Sequence, residues 1–134
     1  MVLILGKVYE NNSEFIWKIQ GRIPIPSSAN LTDYSSISFH TRGHLPLYVA
    51  ITSQENSRLW IGIMDTELKL TSGKMNSFPQ SDYQCSIKYC NVEGIAWKSK
   101  QQLYAVSDKM KSNGLQSSLC WEKDQNIHLF QLPK

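Results

Sequence analysis

Parts of this chain repeat each other, and that self-similarity restricts its possible folds more than any single motif does. Asp33-Tyr34-Ser35-Ser36-Ile37-Ser38-Phe39 recurs as Asn91-Val92-Glu93-Gly94-Ile95-Ala96-Trp97, at an offset of 58. Ala50-Ile51-Thr52-Ser53-Gln54 matches Ala105-Val106-Ser107-Asp108-Lys109 at 55, and Trp60-Ile61-Gly62-Ile63-Met64 falls on His128-Leu129-Phe130-Gln131-Leu132 at 68. Gly6-Lys7-Val8 pairs with Gly73-Lys74-Met75 at 67. Order is kept and only the spacers change length. A chain of this kind stacks similar units, each burying against its neighbour the apolar face it cannot bury alone.

The matched runs read as strands. Val49-Ala50-Ile51, Leu59-Trp60-Ile61, Ile95-Ala96-Trp97, Leu103-Tyr104-Ala105-Val106 and Ile127-His128-Leu129-Phe130 are short, rich in β-branched or aromatic residues, and bounded by polar, Gly or Ser clusters. Phe15-Ile16-Trp17-Lys18-Ile19 joins them, and Val2-Leu3-Ile4-Leu5 reads as an edge strand. Pro24 and Pro26 make residues 22–30 extended and irregular. No window of a dozen residues sustains a 3.6 period. The expected fold is all-β: two four-stranded antiparallel meanders, at about 6–72 and 73–134, within a single region 1–134. The spacer between the second and third strands is 13 residues longer in the second unit, and this insertion is placed within the loop 109–124. Repeat folds place function in such insertions.

Size and charge narrow the classes. At 134 residues the chain fits one domain and can bury a core. A net charge of +3, with Lys98, Lys100, Lys109 and Lys111 as only a loose cluster, is too small to argue for nucleic acid. No run approaches the roughly 18 apolar residues of a membrane span, and no export signal is evident, so the expected compartment is cytoplasmic and no membrane partner is expected. Cys85, Cys90 and Cys120 are an odd count, arguing against a disulfide framework. With His128 they could form a Cys₃His set, but zinc-site spacing is lacking, and free thiols are the stronger reading.

Asn91-Val92-Glu93-Gly94-Ile95-Ala96-Trp97 followed by Leu103-Tyr104-Ala105-Val106-Ser107-Asp108-Lys109 resembles a blade of the phytase-like and esterase-like β-propellers. Ile51-Thr52-Ser53-Gln54-Glu55-Asn56 and Lys123-Asp124-Gln125 are similar to uncharacterised cyanobacterial-type proteins of that kind. The resemblance implies about six blades around a channel with a polar mouth, calcium held there by carboxylates, and hydrolysis of phosphate or carboxylic esters. Only Glu93 and Asp108 match its acidic positions; the first unit has Ser35 and Ser53 there. Closed propellers need about four to eight blades. Two blades are therefore expected to be a piece of a longer propeller, to assemble with other copies through open sheet edges, or to pack as a sandwich.

Glu93 and Asp108 are the metal candidates. Ca²⁺ takes about six to eight oxygen ligands, and two carboxylates with Asn91 begin such a shell without completing it. The competing reading makes them turn caps paired with Lys109 or backbone amides. Ser107-Asp108 lacks a G-x-S-x-G elbow, and no Gly-rich phosphate loop is present. His40 and His44 are expected in an exposed turn, and His128 as a packing residue. Trp17, Trp60 and Trp97 are expected to face a core, whereas Trp121 lies in the insertion. Two functions remain open: a non-catalytic propeller-type binding module presenting residues 109–124, and a calcium-dependent ester or phosphoester hydrolase active only in a complete propeller.

Overall fold

The computed structural model describes residues 2–41, 47–53, 58–78, 92–108 and 126–133. They form nine strands: β1 (Val2–Asn11), β2 (Glu14–Pro24), β3 (Ser36–His40), β4 (Leu47–Ser53), β5 (Arg58–Met64), β6 (Leu70–Ser77), β7 (Val92–Ser99), β8 (Gln102–Ser107) and β9 (Ile127–Gln131). A single 3₁₀ turn spans Ser27–Ala29. All pairings are antiparallel between neighbours in sequence, giving a β1-β2 ribbon, a four-stranded β3-β4-β5-β6 sheet and a three-stranded β7-β8-β9 sheet. The chain is all-β as expected. The first meander has its four strands, and the second has three among the described residues. The boundary expected at 72/73 falls inside β6, which is the outer strand of the four-stranded sheet.

Burial follows from the layer each strand occupies. Residues 49–53 of β4 are buried without alternation, because both faces of that strand are covered. On one face Val49 and Ile51 meet Trp60, Met64 and Leu70, closed over by Ile23, Ala29 and Leu31 from the segment leading out of the ribbon. On the other face Ala50 and Leu59 meet Val92, Leu103 and Ala105 of the three-stranded sheet. In β8 the period of two is intact: Leu103, Ala105 and Ser107 are buried, while Tyr104 and Val106 are exposed. Among the described residues, only one face of that sheet is therefore packed.

The two sheets meet along β3 and β7 by specific polar contacts as well as packing. Ser35 Oγ donates to the Val92 carbonyl (2.9 Å), Ile95 N donates to Ser36 Oγ (3.2 Å), and Trp97 Nε1 donates to the Ser38 carbonyl (3.2 Å). His40 lies at the end of β3 with its ring 5.7 Å from that of Trp97. The exposed-turn expectation for His40 is thus corrected: it is half-buried, and its Nε2 is buried with no hydrogen-bond partner.

Strand pairing tests the repeat position by position. Ser36–Thr52, Ile37–Ile51, Ser38–Ala50 and Phe39–Val49 correspond to Gly94–Val106, Ile95–Ala105, Ala96–Tyr104 and Trp97–Leu103. Likewise Ala50–Ile61 and Ile51–Trp60 correspond to Tyr104–Leu129 and Ala105–His128. The offsets 58 and 68 hold, but the β4-to-β8 offset is one residue less than the sequence match gave. A one-residue slip changes which face a side chain takes. Sequence identity had set Ala50 on Ala105, whereas pairing sets Ile51 there and puts Ser107, not Asp108, at the place of Ser53.

A candidate binding groove beside the β1-β2 ribbon

The ribbon turns at Asn12-Ser13, where φ is 49° and 66°; two positive values are the requirement of a two-residue type I′ turn. Its base is anchored, since Leu3 and Ile23 join the core over β4 and β5. Beyond the base it stands clear of the sheets. Phe15 is 76% exposed and Trp17 56%. The expectation that Trp17 faces a core is therefore corrected: Trp60 is fully buried and Trp97 half-buried, but Trp17 lies on the open ribbon. Its ring crosses Gly6, where a Cβ would come within 1.9 Å of it. No side chain other than hydrogen leaves room for that placement.

Between ribbon and sheet runs a groove of about 400 Å³, lined by Leu3, Leu5, Trp17, Ile37, Phe39 and Met64 among others. Ile37 (37% exposed) and Phe39 (43%) form its far wall on β3. Their counterparts Ile95 and Trp97 on β7 are half-buried against the four-stranded sheet. Equivalent positions are thus covered in one unit and open in the other. A lining this apolar, with Trp at one wall and Phe at the other, can hold an apolar side chain or ring and offers little to fix a charge.

Glu93 and Asp108 lie elsewhere. Val92 pairs with Ser107 and Gly94 with Val106, so Glu93 is the extra residue of a β-bulge, and Asp108 directly follows β8 at the same end. Both are exposed. Among the described residues no three His, Cys, Asp or Glu side chains gather in a way that could hold a metal ion. Asn91, Lys109, His44, Cys85, Cys90, Cys120, Trp121 and the 109–124 insertion lie outside the described residues. His128 packs, with its ring 6.1 Å from Phe130.

The same end of the sheets holds a polar seam that sequence inspection missed. Ser53 Oγ, fully buried, hydrogen-bonds to the Asp33 carboxylate and lies 3.3 Å from Thr32 Oγ1. Ser35 Oγ lies 2.9 Å from Thr52 Oγ1 and also reaches Val92. These groups satisfy one another, so the seam ties the starts of β3 and β7 to the end of β4. Part of the signal was available: Ser35 is the small polar residue that stands in the first unit where Glu93 stands in the second, whereas the register sets Ser53 against Ser107. The chain matches no family model, no curated protein and no solved structure.

Proposed function

We propose that this chain is a non-catalytic binding module of β-propeller type, and that its ligand enters the apolar groove between the ribbon and β3. The observation that carries this reading is the exposure of Trp17, Ile37 and Phe39 around one cavity of about 400 Å³. Large apolar groups left in water next to a preformed cavity mark an interaction surface more often than a neutral one. The 109–124 insertion is a second presenting element under the same reading. Its support is its position between repeat strands.

The test uses 8-anilinonaphthalene-1-sulfonate, whose fluorescence rises in apolar sites. Wild-type protein is expected to bind it, and Phe39→Asp or Ile37→Asp to lose most of that signal while keeping the same far-ultraviolet circular dichroism. Equal dye binding by wild type and both variants would remove the groove from consideration.

The alternative, a calcium-dependent ester or phosphoester hydrolase, draws its support from the bulge at Glu93, at the start of β7 and beside the end of β8. Bulges of this kind re-aim side chains next to functional sites. Its test is the calcium titration given in the Discussion.

A further inference from the structure

The ribbon has the pairing register of another part of the chain. Val2–Pro24, Leu3–Ile23, Ile4–Arg22 and Leu5–Gly21 correspond to Arg58–Ser77, Leu59–Asn76, Trp60–Met75 and Ile61–Lys74 of β5-β6. Both ladders then break at the same point. One residue of the first strand (Gly6 or Gly62) stands against two of the second (Ile19-Gln20 or Ser72-Gly73). In the ribbon Gly6 keeps Ile19 as its partner, and beyond it Lys7–Lys18 and Val8–Trp17 match Ile63–Thr71 and Met64–Leu70. A tryptophan ring covers the first-strand glycine in both, although from different positions: Trp17 of the second strand over Gly6, Trp60 of the first strand over Gly62. Gly6 is therefore the counterpart of Gly62 rather than of Gly73.

β1-β2 thus has the form of the outer half of a four-stranded sheet. In the complete sheet, β5 is flanked on its inner edge by β4 and then β3. Among the described residues, β1 pairs with β2 alone, and its other edge faces the groove side without a strand. The open wall has the same origin. Ile95 and Trp97 are covered by the inner strands β3 and β4 of the neighbouring sheet, through Ser36, Ser38 and Tyr48. Ile37 and Phe39 would need inner strands beside β1 to be covered in that way. The groove is continuous with the interface already built at its base by Leu3 and Ile23.

We infer that β1 and the groove take up a two-stranded β-hairpin of a partner polypeptide, which pairs with the edge of β1 opposite β2 and lays alternate apolar side chains on Ile37 and Phe39. This rests on the groove being the binding surface. Main-chain pairing would supply affinity and the apolar wall would select the hairpin's facing residues. The register follows from β4-β5: residues opposite Leu3, Ile4 and Leu5 take the places of Thr52, Ile51 and Ala50. Among its described strands, a second copy of the chain does not supply these as folded. Its β7-β8 pair is the nearest equivalent, and there β9 already occupies on β8 the place β1 would need.

The probe is a synthetic peptide with the sequence of residues 35–53, the segment that flanks β5 in the chain itself, with a scrambled peptide of the same composition as control. Added to the 134-residue protein, it is expected to shift Trp17 emission to shorter wavelength and shield it from acrylamide. Trp17→Phe reports which part of the signal is its own. Amide exchange in β1 should slow by about tenfold or more, as expected when an exposed edge becomes an interior one. Ile37→Asp should abolish both effects. Absence of protection in β1 at saturating peptide, or equal protection by the scrambled control, overturns the inference. So does concentration-dependent self-association that shields Trp17 without peptide, which would assign the face to a second copy. If the dye binds the groove and the peptide does not, the hairpin fails and the groove reading stands; if neither binds, both fall.

Discussion

Gly73→Ala should destabilise this protein far more than a glycine replacement in a strand ordinarily would, and the cost should vanish when Trp60 is shortened. A Cβ at position 73 would sit 1.9 Å from Cε2 and Cζ2 of Trp60 and 2.1 Å from its Nε1. Carbon atoms rest about 3.5–4.0 Å apart, so the ring would have to retreat by well over 1 Å. It has nowhere to go. Trp60 is fully buried, Gly62 lies against its other edge, and Nε1 donates to Ser28 Oγ at 3.3 Å. Over-packing of this sort costs about 1–3 kcal/mol, and the strained hydrogen bond adds to it. Trp60→Leu removes the crowding atoms at its own cost, below the roughly 3–5 kcal/mol of Trp→Ala. In that background Gly73→Ala should be neutral or stabilising, because alanine loses less backbone entropy. Urea unfolding followed by circular dichroism measures all four corners of the cycle. With a slope of about 2 kcal/mol/M, a 2 kcal/mol loss moves the midpoint by roughly 1 M. Additivity of the two substitutions within about 0.5 kcal/mol would show that ring and glycine are not in contact, and would refute the packing described for β5 and β6.

Asp65→Ala should cost about 1 kcal/mol in the same assay, because the Asp65 carboxylate accepts from the Glu67 and Lys69 amides, each at 2.9 Å, in the turn before β6. Breaking the nearby exposed Lys69–Glu67 pair by Lys69→Met should shift the midpoint very little. His40→Phe replaces a buried ring nitrogen that has no partner by carbon, and should leave stability unchanged or raise it by up to about 1 kcal/mol; a clear loss would mean that Nε2 is satisfied in solution. Calcium is the last test. Two exposed carboxylates are a short ligand set, so millimolar Ca²⁺ is expected to leave the melting temperature in place. A stabilisation near the 2.7 kcal/mol of a ligand at 100 times its Kd, lost in Glu93→Gln and Asp108→Asn, would establish the calcium reading instead.

Much of this architecture is written in local chemistry. Short β-branched and aromatic runs between polar clusters specify strands whatever surrounds them, and the absence of a 3.6 period leaves no competing helix. The recurrence of Ser35-Ser36-Ile37-Ser38-Phe39 as Glu93-Gly94-Ile95-Ala96-Trp97 was enough to announce two similar sheets. Residue identity could not decide register. Ala50 and Ala105 match as letters, yet pairing sets Ile51 opposite that position, because register answers to which face is buried and not to which residue is conserved in type. Nor could it relate β1-β2 to β5-β6, whose side chains differ almost throughout while their ladders break at the same rung. The groove was invisible for a related reason. Trp17 has the same strand-like setting as Trp60, and only the tertiary structure shows that Trp60 is closed over by Ala29 and Leu31 while Trp17 is 56% exposed. Local propensity determines that a strand forms and which side chains share its face; what covers that face depends on how distant segments pack.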